Sequence, residues 1–167
     1  MSDARQQEIA PDRESALASD DKLELKLWLR LLTCSSLIAG EVRARLRESF
    51  ATTLPRFDVL AQLDRAPDGL TMGELSSRLM VSNGNVTGLT DALVREGLVS
   101  RLPEPDDRRS LRIRLTAPGK RAFDAMTPTH ERWIDQMMAG LTRAEMAHLL
   151  ELLGKLKQSA LTAAGAP

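Results

Sequence analysis

A nine-residue run of small, uncharged side chains has the chemistry best suited to recognising another molecule. Residues 82–90 read SNGNVTGLT and combine hydroxyl and amide groups with two glycines. These groups donate and accept hydrogen bonds, and they are small enough for a helix that carries them to approach base edges in a DNA major groove. We therefore predict base contacts from Ser82, Asn83, Asn85, Thr87 and Thr90.

A basic segment follows this run. Residues 95–121 hold eight basic and four acidic side chains, a net charge of +4, whereas residues 1–21 hold six acidic and two basic ones. The formal net charge of zero for the whole chain therefore hides a local concentration of positive charge, which is what attracts phosphate. We predict further DNA contacts from Arg95, Arg101, Arg108 and Arg109.

The charged loop from Pro103 to Arg109 suggests a second mode of contact. A guanidinium at the tip of a hairpin can enter the narrow, electronegative minor groove, and Asp107 is placed to hold Arg109 in position. Each motif alone fits a simpler interpretation, because polar residues often cap helices and charged loops are often solvated turns. Their order along the chain favours a single DNA-binding unit.

The elements that must position these residues form a helix-turn-helix. A helix begins at the capping box Thr71-x-x-Glu74 and stops near Met80. A second helix covers residues 83–96 and is closed by Gly97. Its buried side is predicted to consist of Val86, Leu89 and Leu93.

The remaining pattern predicts a mainly α fold with a small β wing. Strands are predicted at residues 98–102 and 111–115, the second alternating apolar residues with arginines on an outward face. Apolar residues at helical spacing predict the other helices. These are a long helix over residues 22–50, a short helix after Thr53 and Pro55, a helix from Thr116 to about Met138 with a kink at Pro128, and a last helix from the capping box Thr142-x-x-Glu145.

Composition and missing motifs narrow the function classes. A single cysteine excludes an internal disulfide, and the start of the chain has no signal-peptide pattern, so we expect a cytoplasmic protein without membrane association. The sequence has no P-loop, HExxH or GxSxG motif and no Cys–His cluster. We therefore expect no enzyme activity, no metal site and no cofactor.

The segment GLTMGELSSRLMVSNGNVTGLTDALVREGLVSRLPEPDDRRSLRIRLTAPG runs from Gly69 to Gly119, and it resembles the MarR family of bacterial regulators, most specifically over residues 70–119. LPRFDVLAQL and the leucine-rich last helix extend the resemblance over about residues 22–160. It implies a winged helix-turn-helix domain with a helical dimerisation region from both chain ends. It also implies that the helix starting near Ser82 binds the major groove, that Arg109 reaches the minor groove with support from Asp107, and that repression is the default.

These expectations divide the chain into five parts. They are an acidic, disordered tail (1–21), an N-terminal dimerisation helix (22–52), the DNA-binding lobe (53–117), C-terminal dimerisation helices (118–160) and a short tail (161–167). The expected partners are duplex DNA and a second copy of the chain.

The resemblance further implies a small-molecule effector between the dimer helices and the DNA-binding lobe. LWLRLLTCSSLI and SNGNVTGL are similar to regulators of aromatic-acid catabolism, some of which respond to hydroxycinnamoyl-CoA thioesters. We therefore expect an aromatic acid or acyl-CoA thioester, although most of the apolar candidates also fit a simple core role. The candidate residues are Trp28, Arg30, Leu31, Ile38, Arg43, Phe57, Leu60, Phe123, Met126, His130 and Trp133.

Three alternatives remain open at this point. The first concerns three arginines of the first helix, which either bind CoA phosphates or only line a solvated helix face; these are Arg43, Arg45 and Arg47. Cys34 could sense peroxide, but no His or Lys flanks it and the chain has no tyrosine, so a buried structural cysteine is the favoured interpretation. A winged helix that binds protein or RNA is the third; residues 82–115 contain no aromatic side chain to stack on single-stranded bases, which favours duplex DNA.

Overall fold

A computed structural model describes residues 13, 22–103 and 111–165. The elements are α1 (Leu23–Phe50), α2 (Leu54–Asp64), β1 (Leu70–Thr71), α3 (Met72–Leu79), α4 (Asn83–Arg95), β2 (Val99–Pro103), β3 (Leu111–Leu115), α5 (Ala117–Met138) and α6 (Arg143–Ala163). The predicted mainly α fold with a small β wing is confirmed. The predicted disorder of residues 1–21 lies, except at residue 13, outside the described part.

The sheet contains one strand that the sequence did not reveal. Its order is β1-β3-β2 and both pairings are antiparallel, with Leu70 opposite Ile113 and Val99 opposite Leu115. β1 has only two residues, which is too short for an alternating pattern, and Thr71 also serves as the cap of α3. This third strand joins the wing to the start of the helix-turn-helix.

Both predicted capping boxes are present. The backbone N–H of Glu74 donates to Thr71 Oγ1 at 3.2 Å, and the N–H of Thr71 donates to Glu74 Oε2 at 2.8 Å. Thr142 and Glu145 repeat the arrangement at α6. Hydrogen bonds from the two threonines lower the pKa of Glu74 and of Glu145, because they stabilise the charged carboxylate.

The buried core around α4 differs from the prediction for that helix. Val86, Thr90 and Leu93 are completely buried, whereas Leu89 is only half-buried. Burial of a threonine is tolerated here because its Oγ1 donates to the carbonyl of Val86 at 2.9 Å, which satisfies the hydroxyl inside its own helix. Other fully buried side chains of this core are Leu46, Val59, Leu60, Leu63, Leu75, Val99 and Ile113.

The chain forms two compact units, which divide between His130 and Glu131. The second unit contains the end of α5 and all of α6, whose residues from Ala147 to Ala163 are exposed. α5 is one helix that continues through Pro128, so the kink there stays a prediction. Within residues 22–103 and 111–165, no helix combines the length and hydropathy that crossing a membrane requires.

Candidate DNA interface

The turn between α3 and α4 exposes the start of α4. Met80 ends α3 in the left-handed conformation with φ of 54°, and its side chain is 90% exposed. The Ser76 hydroxyl donates to the carbonyl of Val81 at 3.1 Å and fixes the turn. Ser82 then precedes α4 with extended backbone, and its hydroxyl makes no capping hydrogen bond. The first N–H groups of α4 and its positive dipole end therefore remain available for a phosphate.

Most of the predicted base-contacting residues lie on the surface of α4. Ser82, Asn83, Asn85 and Thr87 are all exposed. The Thr87 hydroxyl donates to the carbonyl of Asn83 at 2.9 Å, so its remaining capacity is to accept a hydrogen bond. This surface offers two amides and two hydroxyls within the first turns of the helix.

Thr90 is not part of that surface. It is 0% exposed, and its hydroxyl bonds to backbone carbonyls of its own helix. The prediction that Thr90 contacts DNA is therefore wrong, because position 90 lies in the buried row with Val86 and Leu93, four and three residues away.

The arginines near α4 differ in how they are engaged. Arg95 is exposed in the last turn of α4. Arg101 on β2 forms an ion pair with Asp91 of α4, and its Nη2 also lies 3.4 Å from Thr90 Oγ1. Arg101 thus ties the wing to α4, which we call the recognition helix because it is the helix predicted to bind the major groove. Sequence analysis missed this interaction because strand and helix positions ten residues apart give no local signal.

The wing has a defined base, whereas its tip is outside the described residues. The last pair of the β2–β3 ladder joins Pro103 to Leu111. The predicted DNA contacts Asp107, Arg108 and Arg109 lie in the connection of residues 104–110, so they stay predictions. On β3, Arg112 Nη1 donates to the carbonyl of Gly69 at 2.9 Å and Arg114 Nε donates to that of Pro67 at 2.9 Å. These two arginines thus fasten β3 to the turn before β1.

Part of the predicted effector set is gathered beside α2. The Phe57 ring stacks on His130 with 4.5 Å between centroids and tilts against Phe123 at 5.5 Å. We call these three residues the aromatic cluster. Phe57, Leu60, Phe123 and Met126 are buried, as is Trp133 in the second unit.

The other predicted effector residues lie on α1 and are more accessible. Trp28 is 57% exposed, Arg30 and Arg43 are exposed, and Leu31 and Ile38 are half-buried. A cleft of about 290 Å³ lies elsewhere, at the end of α2 and the start of α5. It is lined by Leu63, Asp64, Pro67, Leu115, Thr116, Ala117 and Lys120, which do not belong to the predicted set.

Cys34 is exposed in the chain. The interpretation as a buried structural cysteine is therefore wrong for the single chain. Only three residues of α1, Thr33, Val42 and Leu46, are buried, so the helix covers a narrower face than its apolar sequence implied.

The recognition helix also contains two glycines that packing does not require. A Cβ added at Gly84 or Gly88 would meet nothing within 4 Å, and neither residue has positive φ. Glycine inside a helix costs roughly 0.5–1 kcal/mol relative to alanine. Their positions four residues apart leave a bare strip on the surface that carries Asn83 and Asn85.

We therefore expect Gly84→Ala and Gly88→Ala each to raise the free energy of unfolding by about 0.5–1 kcal/mol and yet weaken DNA binding several-fold. The added methyl group stabilises the helix but fills space at the contact surface. Denaturant unfolding and fluorescence anisotropy measure the two effects. Gly40→Ala on α1, where the space is equally open, is the matched control and should stabilise without changing DNA affinity. Unchanged DNA affinity in both α4 variants would show that this strip does not face DNA.

Comparisons with known proteins agree with this geometry. The family model described as MarR family matches residues 52–111. The transcriptional activatory protein BadR of Rhodopseudomonas palustris is 29% identical over 144 residues, covering 83% of this chain and 82% of BadR. A MarR family transcriptional regulator from Silicibacter pomeroyi has a crystal structure with 31% identity and a TM-score of 0.70, covering 82% of this chain and 94% of that one. A variant of MarR from E. coli, solved in complex with operator DNA, is 28% identical with a TM-score of 0.71, covering 81% of this chain and 99% of that one.

Proposed function

The chain belongs to the MarR family of transcriptional regulators, and from this we propose that it is a ligand-responsive homodimer that represses transcription by binding an inverted-repeat operator. The observation that carries the proposal is the exposed start of α4, with its uncapped N–H groups and the side chains of Asn83, Asn85 and Thr87. A helix end of this kind binds phosphate and presents amides to base edges in the same contact.

Exposed leucines support the homodimer. α6 presents six of them, and Leu150 is 74% exposed. The first part of α1 adds Trp28 and three further leucines, of which Leu23 is 76% exposed. Apolar surface of this extent marks an interface. A two-fold dimer presents two copies of α4, so we expect an inverted repeat with half-sites about 10 bp apart, one helical turn of DNA.

We propose the aromatic cluster as the place where an effector acts. An aromatic or phenolic acid is flat enough to stack on the half-buried ring of His130, and the arginines of α1 are candidate partners for its carboxylate or for the phosphates of a CoA thioester. Of those arginines, Arg45 already pairs with Glu41 at 2.6 Å. Repression is the proposed direction, although the relative BadR is named an activatory protein.

One experiment tests the dimer, the DNA binding and the effector together. Duplexes are selected from a randomised library, and affinity is measured by anisotropy while light scattering gives the mass. We expect twice the chain mass, enrichment of an inverted repeat and at least tenfold weaker binding at saturating 4-hydroxycinnamate, benzoate or 4-hydroxycinnamoyl-CoA.

Cys34→Ser provides the control for the redox alternative, since the thiol is exposed. The serine variant should bind DNA and respond to the acids as the wild type does. Release by peroxide from the wild type alone would replace the small-molecule effector by a redox signal. A persistent monomer would overturn the dimer and the expected operator symmetry.

A further inference from the structure

An ion pair joins α2 to the far end of the recognition helix. Arg56, in the first turn of α2, pairs through its guanidinium with Glu96, which is the C-cap residue of α4. The two residues are 40 positions apart in the chain. The Arg56 side chain is 24% exposed, and its Nε is buried without a hydrogen-bond partner in the described structure. Burying an unsatisfied donor lowers the stability of the fold. The chain therefore keeps the Arg56 guanidinium at this position despite an energetic cost.

Glu96 lies at the end of α4 opposite Asn83, so a small change of angle at Glu96 produces a larger displacement at the end predicted to contact DNA. α4 has 13 residues, so about 18 Å separate its ends at 1.5 Å per residue. A tilt of about 5° at the Glu96 end would move the Asn83 end by roughly 1.6 Å. Hydrogen bonds to base edges tolerate much less, since N–H···O distances span only about 2.7–3.2 Å.

The same segment of α2 carries the aromatic cluster. Phe57 follows Arg56 directly and contacts both His130 and Phe123. A displacement of Phe57 that moves the first turn of α2 would therefore pull on the guanidinium next to it. Because Glu96 is the C-cap residue of α4, the movement would reach the recognition helix through the ion pair.

We propose that Arg56 is a positioning residue for DNA recognition, which holds α4 through Glu96 and transmits the state of the aromatic cluster to it. The proposal rests on the proposed function for its effector part. Arg56 touches neither base nor phosphate in this role.

Neutralising each partner separately gives a decisive test, because the two changes alter net charge in opposite directions. If only long-range electrostatics mattered, Arg56→Gln would weaken DNA binding and Glu96→Gln would strengthen it. If the pair positions α4, both variants weaken binding to the selected duplex three- to tenfold, change binding to scrambled duplex little and leave the salt dependence unchanged. The double variant Arg56→Gln/Glu96→Gln should be no weaker than the weaker single one.

Charge reversal and hydrogen exchange complete the test. Arg56→Glu/Glu96→Arg restores an ion pair and should recover most of the affinity, which a general effect on folding would not produce. Faster amide exchange at the end of α4 in Arg56→Gln is expected without any DNA present. Opposite affinity shifts in the two single variants, or no recovery on reversal, would overturn the proposal.

A last arm separates this inference from the effector proposal. 4-Hydroxycinnamate should release DNA from the wild type by a larger factor than from Arg56→Gln. If it releases neither, the effector proposal fails, while the single variants, the reversal and the exchange rates still decide whether Arg56 positions α4. Equal release factors in the wild type and in Arg56→Gln would refute transmission through Arg56.

Discussion

Alanine at position 119 is expected to cost the chain on the order of 3 kcal/mol of folding free energy. Gly119 is buried in the first turn of α5, and a Cβ there would lie 1.8 Å from the carbonyl oxygen of Leu98. That oxygen belongs to the backbone, so rotation of a side chain cannot relieve the overlap. The φ of Gly119 is not positive, and the requirement for glycine is therefore one of space alone.

The contact between Gly119 and Leu98 lies where α4 is connected to the wing. Leu98 links the end of α4 to β2, and its carbonyl accepts the N–H of Thr116 at 3.1 Å. The Thr116 hydroxyl donates to the carbonyl of Gly97 at 2.6 Å and accepts the N–H of Gly119 at 3.1 Å. Gly119→Ala should therefore lower the denaturation midpoint and weaken DNA binding in the same variant.

Gly40→Ala is again the appropriate comparison, since position 40 is helical and open. Gly40→Ala should stabilise the chain slightly. A lower denaturation midpoint in Gly119→Ala alone would therefore identify overlap with Leu98 as the cause. Equal midpoints for Gly119→Ala and the wild type would mean that α5 and the end of α4 can separate freely at this junction.

Signals contained within a few residues allowed the helix ends to be predicted. The two capping boxes each need only a Thr and a Glu three positions later, and both are confirmed. Gly97 closes α4 with φ of 71°, as its position after the last apolar residue indicated. A local hydrogen-bond pattern determines each of these features, so no knowledge of the rest of the fold was needed.

Features that depend on distant residues could not be predicted in this way. β1 is a strand only because Leu70 pairs with Ile113, 43 positions later. Thr90 faces the core because the lobe packs on that side of α4, although its chemistry suits the surface equally well. The pairs Arg56–Glu96 and Arg101–Asp91 likewise form between elements that meet only in the folded lobe.

For the candidate site, sequence established which surface to examine but not which side chains act there. Helical periodicity correctly left Asn83, Asn85 and Thr87 exposed. Whether an exposed amide reads a base or faces solvent depends on the DNA, so these assignments remain predictions. Variants that separate the reading of bases from attraction to phosphate are needed to decide.

Asn85→Ala is expected to cost about 1–3 kcal/mol of binding on the selected operator and little on scrambled duplex. Asn85 is exposed in the first turn of α4, and an amide that pairs with a base edge does so only where the right base stands. Alanine has the higher helix propensity, so the variant should fold at least as stably as the wild type. Affinities on both duplexes across a salt series, with denaturation midpoints alongside, measure the effect.

Arg109→Ala should behave differently, because a wing arginine in the minor groove acts mainly through its charge. We expect weaker binding to all A·T-flanked duplexes and a salt dependence flatter by about one unit of slope. Lys157→Ala removes the same charge from α6 and should leave the slope unchanged if the effect belongs to the wing. An Arg109→Ala variant with wild-type affinity and slope would make the connection of residues 104–110 an ordinary solvated turn.

Equal losses on both duplexes for Asn85→Ala would mean that α4 contacts the DNA backbone, and the specificity would then have to come from other side chains or from the shape of the DNA.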